Sequence, residues 1–147
     1  MPNKQSTSAN VVYRPQRKLK IPLPLYSCSV SAGFPSPAED YVEGKLDLNQ
    51  YLVKHPVATF FVRVTGDSML GAGIHSGDLL IVDRSLEPKD GRVIIAVVDG
   101  ELLVKRLSMK SQKVMLLADN PQYPALTIHE AMEFQVWGVV TNVIHPL

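Results

Sequence analysis

Between residues 57 and 144 six short segments rich in Val, Ile, Leu and aromatic side chains follow one another, with Gly, Pro, Asn or Asp between them. They cover residues 57–65, 78–83, 92–98, 101–107, 113–118 and 134–144. Segments this short leave little room for helices of ordinary length, and their β-branched and aromatic content suits strands. Asp99-Gly100 stands between two of them and predicts a tight type I′ hairpin. The fold class that follows is mainly β: a compact body of short, twisted, mostly antiparallel strands. One or two short helices are expected near its start. Ser36-Pro37-Ala38-Glu39 has a capping serine, a proline at the first helical position and a glutamate three residues after the cap. Asp47 can cap a second turn through Leu48, Tyr51 and Leu52 that closes before Pro56.

The first 38 residues are of another kind. They hold Lys4, Arg14, Arg17, Lys18 and Lys20, no acidic residue, and six of the eleven prolines. With little apolar periodicity, such a stretch buries too little surface to offset the entropy of ordering it. It reads as an extended, mobile arm ahead of the body. From Glu39 onward there are ten basic and fourteen acidic residues, a balance of −4, while the whole chain of 147 residues carries +1. That near-neutral total makes no electrostatic case for whole-chain binding to nucleic acid. The basic cluster at residues 14–20 reads as a solvated tail rather than a DNA site. Apolar runs such as Val93–Val98 are far too short to span a bilayer, and the N-terminus lacks an apolar core of signal-peptide length. One cysteine, Cys28, excludes an internal disulfide and a multi-thiolate metal site. A cytosolic domain without membrane association is the expectation.

Gly66-Asp67-Ser68-Met69 follows the strand segment ending at Thr65 and precedes Gly71, Gly73 and Gly77. A serine where a strand breaks into a glycine-lined turn exposes its hydroxyl beside backbone N–H groups free of the ladder, as an oxyanion hole requires. A turn serine bonded to nearby backbone fits the same residues. The four histidines, His55, His75, His129 and His145, are scattered, with no metal-ligand spacing; His75, nearest the serine, is the one histidine worth testing as its base. Lys105 is the other candidate. It shares a strand face with Leu103 and Leu107, but Leu102 and Val104 on the opposite face are also apolar, so alternation leaves open which face is core. Pointing inward, it would lose its proton more readily and could serve as a base. Pointing outward, it would be an ordinary snorkelling or salt-bridged lysine. Arg106 cannot be a base, because a guanidinium keeps its proton.

Taken together these motifs resemble the Ser–Lys self-cleaving peptidases, the group that contains the LexA repressor and the UmuD mutagenesis proteins. Val30-Ser31-Ala32-Gly33-Phe34-Pro35-Ser36-Pro37 is similar to the cleavage segment, and Gly66-Asp67-Ser68-Met69 with Gly77-Asp78-Leu79 to the nucleophile region. Asp99-Gly100 followed by Val104-Lys105-Arg106-Leu107 resembles the strand that bears the base. Asn120-Pro121-Gln122-Tyr123 and Trp137-Gly138-Val139-Val140 resemble the closing blocks. The residues ahead of Gly33 are too few and too proline-rich for the helix-turn-helix domain of the repressors, so the likeness is to the UmuD-like SOS mutagenesis branch. Ala32 stands where the familiar UmuD has cysteine, and Ala-Gly is the repressor-type bond.

The resemblance implies Ser68 as nucleophile, Lys105 as general base, the backbone N–H groups of Ser68 and Asp67 as oxyanion hole, and Ala32-Gly33 as the bond cut. It implies an arm over residues 1–32 removed by self-cleavage from a peptidase body over residues 33–147, with no metal and no cofactor. Its implied partners are a second copy of the chain in a homodimer, a RecA–ssDNA filament as activator and a UmuC-like Y-family DNA polymerase, in the bacterial cytoplasm. No direct sequence-specific DNA binding is implied. Two other readings stay open: a signal-peptidase-like protease acting in trans, and a non-catalytic polymerase-binding module with a vestigial site.

Overall fold

The computed structural model describes residues 7–13, 20–26 and 42–147. The Ala32-Gly33 bond, Cys28, the helix start at Ser36-Pro37 and residues 14–19 of the basic cluster lie outside the described residues. The chain divides into two units, Met1–Pro15 with His55–Leu147, and Gln16–Lys54. In chain order the strands are β1 (Ser8–Tyr13), β2 (Pro22–Tyr26), β3 (Val42–Asp47), β4 (Thr59–Thr65), β5 (Leu79–Asp83), β6 (Val93–Val98), β7 (Glu101–Lys110), β8 (Lys113–Leu117), β9 (Leu126–Thr127) and β10 (Phe134–Ile144). The helix α1 (Leu48–Leu52) follows β3.

The larger unit is an antiparallel sheet in the order β1-β4-β5-β10-β6-β7-β8-β9, and β1 also meets β7 where Ser8 faces Leu103. The expected mainly β class is what the chain adopts, and each of the six apolar segments forms a strand. The β6–β7 turn has Asp99 at φ 48° and Gly100 at φ 81°, the left-handed pair that a type I′ hairpin demands. Strand β7 runs to Lys110 rather than stopping at residue 107. A second left-handed pair, Ser111 and Gln112, turns the chain directly into β8 and keeps Lys110 opposite Lys113.

Both sides of the central strands are covered. Phe60, Val62, Val64, Leu80, Val82, Ile95 and Val104 pack with Met69 and Ile74 in one cluster. Ile94, Ala96, Val98, Leu103, Leu107, Leu116 and Val139 form the other. This is why alternation along β7 does not reveal a core face: there are two.

In the smaller unit β2 pairs antiparallel with β3. A two-stranded ribbon has an edge on each strand, so the missing N–H groups of Pro22 and Pro24 are tolerated there. Asp47 caps α1 as expected. Its Oδ1 accepts the N–H groups of Asn49 at 3.0 Å and Gln50 at 3.3 Å, and its Oδ2 accepts that of Ile21 at 2.8 Å.

Candidate active site

Ser68 sits in the turn that leaves β4, just ahead of a single 3-10 turn over Leu70–Ala72, and is fully buried. Gly66 opens that turn at φ 96°, a conformation that glycine adopts without steric cost. The Ser68 Oγ accepts the N–H of Thr7 at 2.7 Å. The carbonyl of Thr7 in turn accepts the N–H of Val104, next to Lys105, at 3.3 Å. Thr7 is itself fully buried, and its hydroxyl has no hydrogen-bond partner among the described residues.

Lys105 is only 6% exposed. Burial pushes its ammonium group below the ordinary lysine value, against a weaker opposing pull from Glu101. The inward alternative is therefore the one realised. The Tyr123 ring lies 5.7 Å from Lys105 Nζ, while its phenol donates a short hydrogen bond to Asp67, the residue before the serine. That bond, with burial behind it, pushes the Tyr123 phenol up to about 12, so it stays a neutral donor at any working pH. Thr7 and Tyr123 thus each reach both the Ser68 turn and strand β7.

The turn is fastened further by the loop after β8. Asn120 Nδ2 donates to the Asp67 carbonyl at 2.9 Å, and the Gly71 N–H donates to the Asp119 carbonyl at 2.7 Å. A Cβ on Gly71 would lie 2.7 Å from that carbonyl oxygen, so only glycine permits the approach. Arg106 holds the Asp119 carboxylate through Nε at 2.9 Å and through Nη2, and reaches the Gly91 carbonyl with Nη1 at 2.6 Å. Arg106, set aside as a base, is thus a fastener between β7 and the loop that braces the Ser68 turn.

The histidines stand apart from this arrangement. His55 Nδ1 lies 2.6 Å from Asp83, and His145 Nδ1 lies 2.6 Å from Asp78. His75, the histidine singled out as a possible base, turns its Nδ1 to within 3.7 Å of Asp78. The interlocking roles of Thr7, Asp119, Asn120 and Tyr123 escaped sequence reasoning. The Asn120–Tyr123 motif was visible as a block, but nothing in its spacing says that it folds back on a turn more than fifty residues earlier.

The peptidase S24-like family matches residues 24–141. The chain belongs to that family. Protein SamA of Salmonella typhimurium (strain LT2) is 49% identical over 88% of this chain and 90% of its own length. Protein ImpA of Salmonella typhimurium is 46% identical over 83% of each chain. Protein MucA of Escherichia coli is 42% identical over 85% of this chain and 87% of its own. The likeness to UmuD-like SOS mutagenesis proteins of the S24 family, read from the motifs, is borne out. The family match takes in Ser68, Lys105 and the Asn120–Tyr123 loop. Among the described residues no helix is long and apolar enough to cross a membrane, and these relatives are bacterial.

Proposed function

We propose that this chain is a self-cleaving serine endopeptidase of the SOS response that cuts its own Ala32-Gly33 bond with a Ser68–Lys105 dyad. The observation that carries this reading is the burial of Lys105 beside the strand position that also holds Thr7, whose N–H reaches the Ser68 hydroxyl. A lysine that sheds its proton easily is what a serine needs as a base near neutral pH.

In the reaction Lys105 takes the Ser68 proton as Oγ attacks the Ala32 carbonyl carbon. The oxyanion is held by the main-chain N–H groups of Ser68 and Asp67. Lys105 then gives the proton to the leaving Gly33 nitrogen as the peptide bond breaks. Water, deprotonated by the same lysine, attacks the acyl-enzyme and releases Ser68 and the Ala32 carboxylate. The substrate is part of the same molecule, so tethering supplies much of the rate and no deep specificity pocket is needed. No metal or cofactor enters these steps.

Thr7 closes the site against this chemistry, because its N–H engages the Ser68 oxygen that has to attack. Strand β1 must therefore lift before residues 31–33 can reach the serine. A RecA–ssDNA filament that binds the lifted state more tightly would shift the population toward cutting. Cutting removes all five basic residues of the arm and leaves a body of charge −4. That body acts as a homodimeric accessory subunit of a UmuC-like Y-family translesion polymerase in the bacterial cytoplasm.

The test is the intact mass of the purified chain after incubation from neutral to alkaline pH, with and without filament, beside Ser68→Ala and Lys105→Ala. Loss of residues 1–32 from the wild type alone, faster at alkaline pH, is the expected result. A chain that stays whole in every condition would leave a binding module with a vestigial site. Cutting that survives both substitutions would remove the dyad.

A further inference from the structure

Among the described residues His75, Asp78 and His145 bring one donor atom each to within 4.8 Å of one another. The sequence gives no hint of this, since His145 lies 67 positions beyond Asp78. Pairing of β5 with β10 sets Ile144 against Leu79, which carries the next residue, His145, to the start of β5 where Asp78 stands. Asp78 is almost wholly buried, and its Oδ2 accepts the His75 N–H at 2.8 Å, which fixes the carboxylate in place. Both imidazoles are half-exposed and approach it with Nδ1, at 2.6 Å for His145 and 3.7 Å for His75. Their rings lie 4.5 Å apart, tilted by 35°.

We propose that His75, Asp78 and His145 form a site for a divalent transition cation of the zinc class. Two imidazole nitrogens and one carboxylate oxygen are the donor set of such ions, whereas magnesium and calcium take oxygen alone. Donors around a tetrahedral zinc are about 3.3 Å apart, from metal–ligand distances of roughly 2.0–2.1 Å. The three donor atoms all lie within 4.8 Å of one another, and the half-exposed histidines have the side-chain freedom that tightening around an ion would need. The buried carboxylate supplies a rigid ligand and the two histidines supply reach, with the fourth position left to water. A bound ion would tie the turn after the nucleophile to the end of β10. The role stands apart from peptide cleavage and does not depend on it.

The probe is zinc chloride titrated calorimetrically into the full chain carrying Ser68→Ala, with magnesium chloride as control. One zinc per chain and no magnesium binding are expected. His75→Asn and His145→Asn, each on that background, lose a ligand outright. Each should weaken zinc at least as much as losing a supporting partner does, about 10–100-fold. Circular dichroism and melting without metal check that the variants fold, which their exposed positions favour, and zinc should raise the melting temperature of the parent only. Saturable zinc binding that is unchanged in both variants, or that disappears with Cys28→Ser, would overturn the proposal. So would no binding at all.

Discussion

A lysine held between Leu103 and Leu107 on its own face, with Val104 beside it, keeps its proton less firmly than one in water. Because burial has moved the folded-state value below 10.5, the unfolded chain holds a proton that the folded chain lacks in the window between the two. Stability contributed at this site therefore rises with pH through that window and is lowest beneath it. Urea unfolding of the Ser68→Ala chain should show this rise, and Lys105→Met on the same background should flatten it and raise stability at neutral pH. An unchanged slope would mean that Lys105 is solvated. Lys105→Arg carries a complementary expectation: the charge stays, the proton cannot leave, and self-cleavage stops. Intact mass at alkaline pH reads that outcome. Elsewhere the pull is opposite. Burial works against the Asp83 carboxylate, but hydrogen bonds from Ser85 and His55 outweigh it and hold the group below its usual value, so its contribution is lost as pH falls through the folded value.

Strand β1 is where local sequence tells least and the fold adds most. Strands β4 to β8 and β10 are legible because each alternates or runs apolar between turn residues, and the Asp47 cap is legible because its geometry involves only neighbours. The two-residue β9 is too short to leave a pattern. Strands β1, β2 and β3 carry prolines, basic residues or weak periodicity, and β1 exists through partners on β4 that lie far along the chain, from Tyr13 opposite Phe61 to Ser8 opposite Thr65. No window of neighbouring residues holds that information. Lys105 is half legible: lysine in a strand is visible, but the second layer that buries it is not.

The contact at Thr7 makes β1 a testable restraint on cutting. Thr7→Pro deletes the N–H that engages Ser68 and should raise the rate of Ala32-Gly33 cleavage without filament. Thr7→Val keeps the shape and removes a buried hydroxyl oxygen that has no hydrogen-bond partner among the described residues, a group that costs about 1–3 kcal/mol to bury. It should hold β1 down and slow cutting about tenfold, the factor that ~1.4 kcal/mol brings. Single-turnover cleavage followed by mass reads both. Equal rates in the two variants would show that β1 does not gate the site.

At the scale of the molecule the strand order has its own consequence. Strand β10 lies between β5 and β6, so it stands between the side that carries Ser68, after β4, and the side that carries Lys105, on β7. Among the described residues the Ser68 turn and β7 are therefore joined in part through β10, alongside the Ser8–Leu103 pairing and the links through Thr7, Tyr123 and the Arg106–Asp119 pair. A ribosome makes the chain from its beginning, at about 5–20 residues per second, and β10 emerges after the other nine described strands. A nascent chain stalled with residue 133 at the tunnel exit should stay uncut with filament present, while one stalled far enough downstream to free residue 144 should be cut. Mass analysis of the released peptides checks this. On the proposed reading the order of the strands works as a clock: cutting waits until β10 has been made.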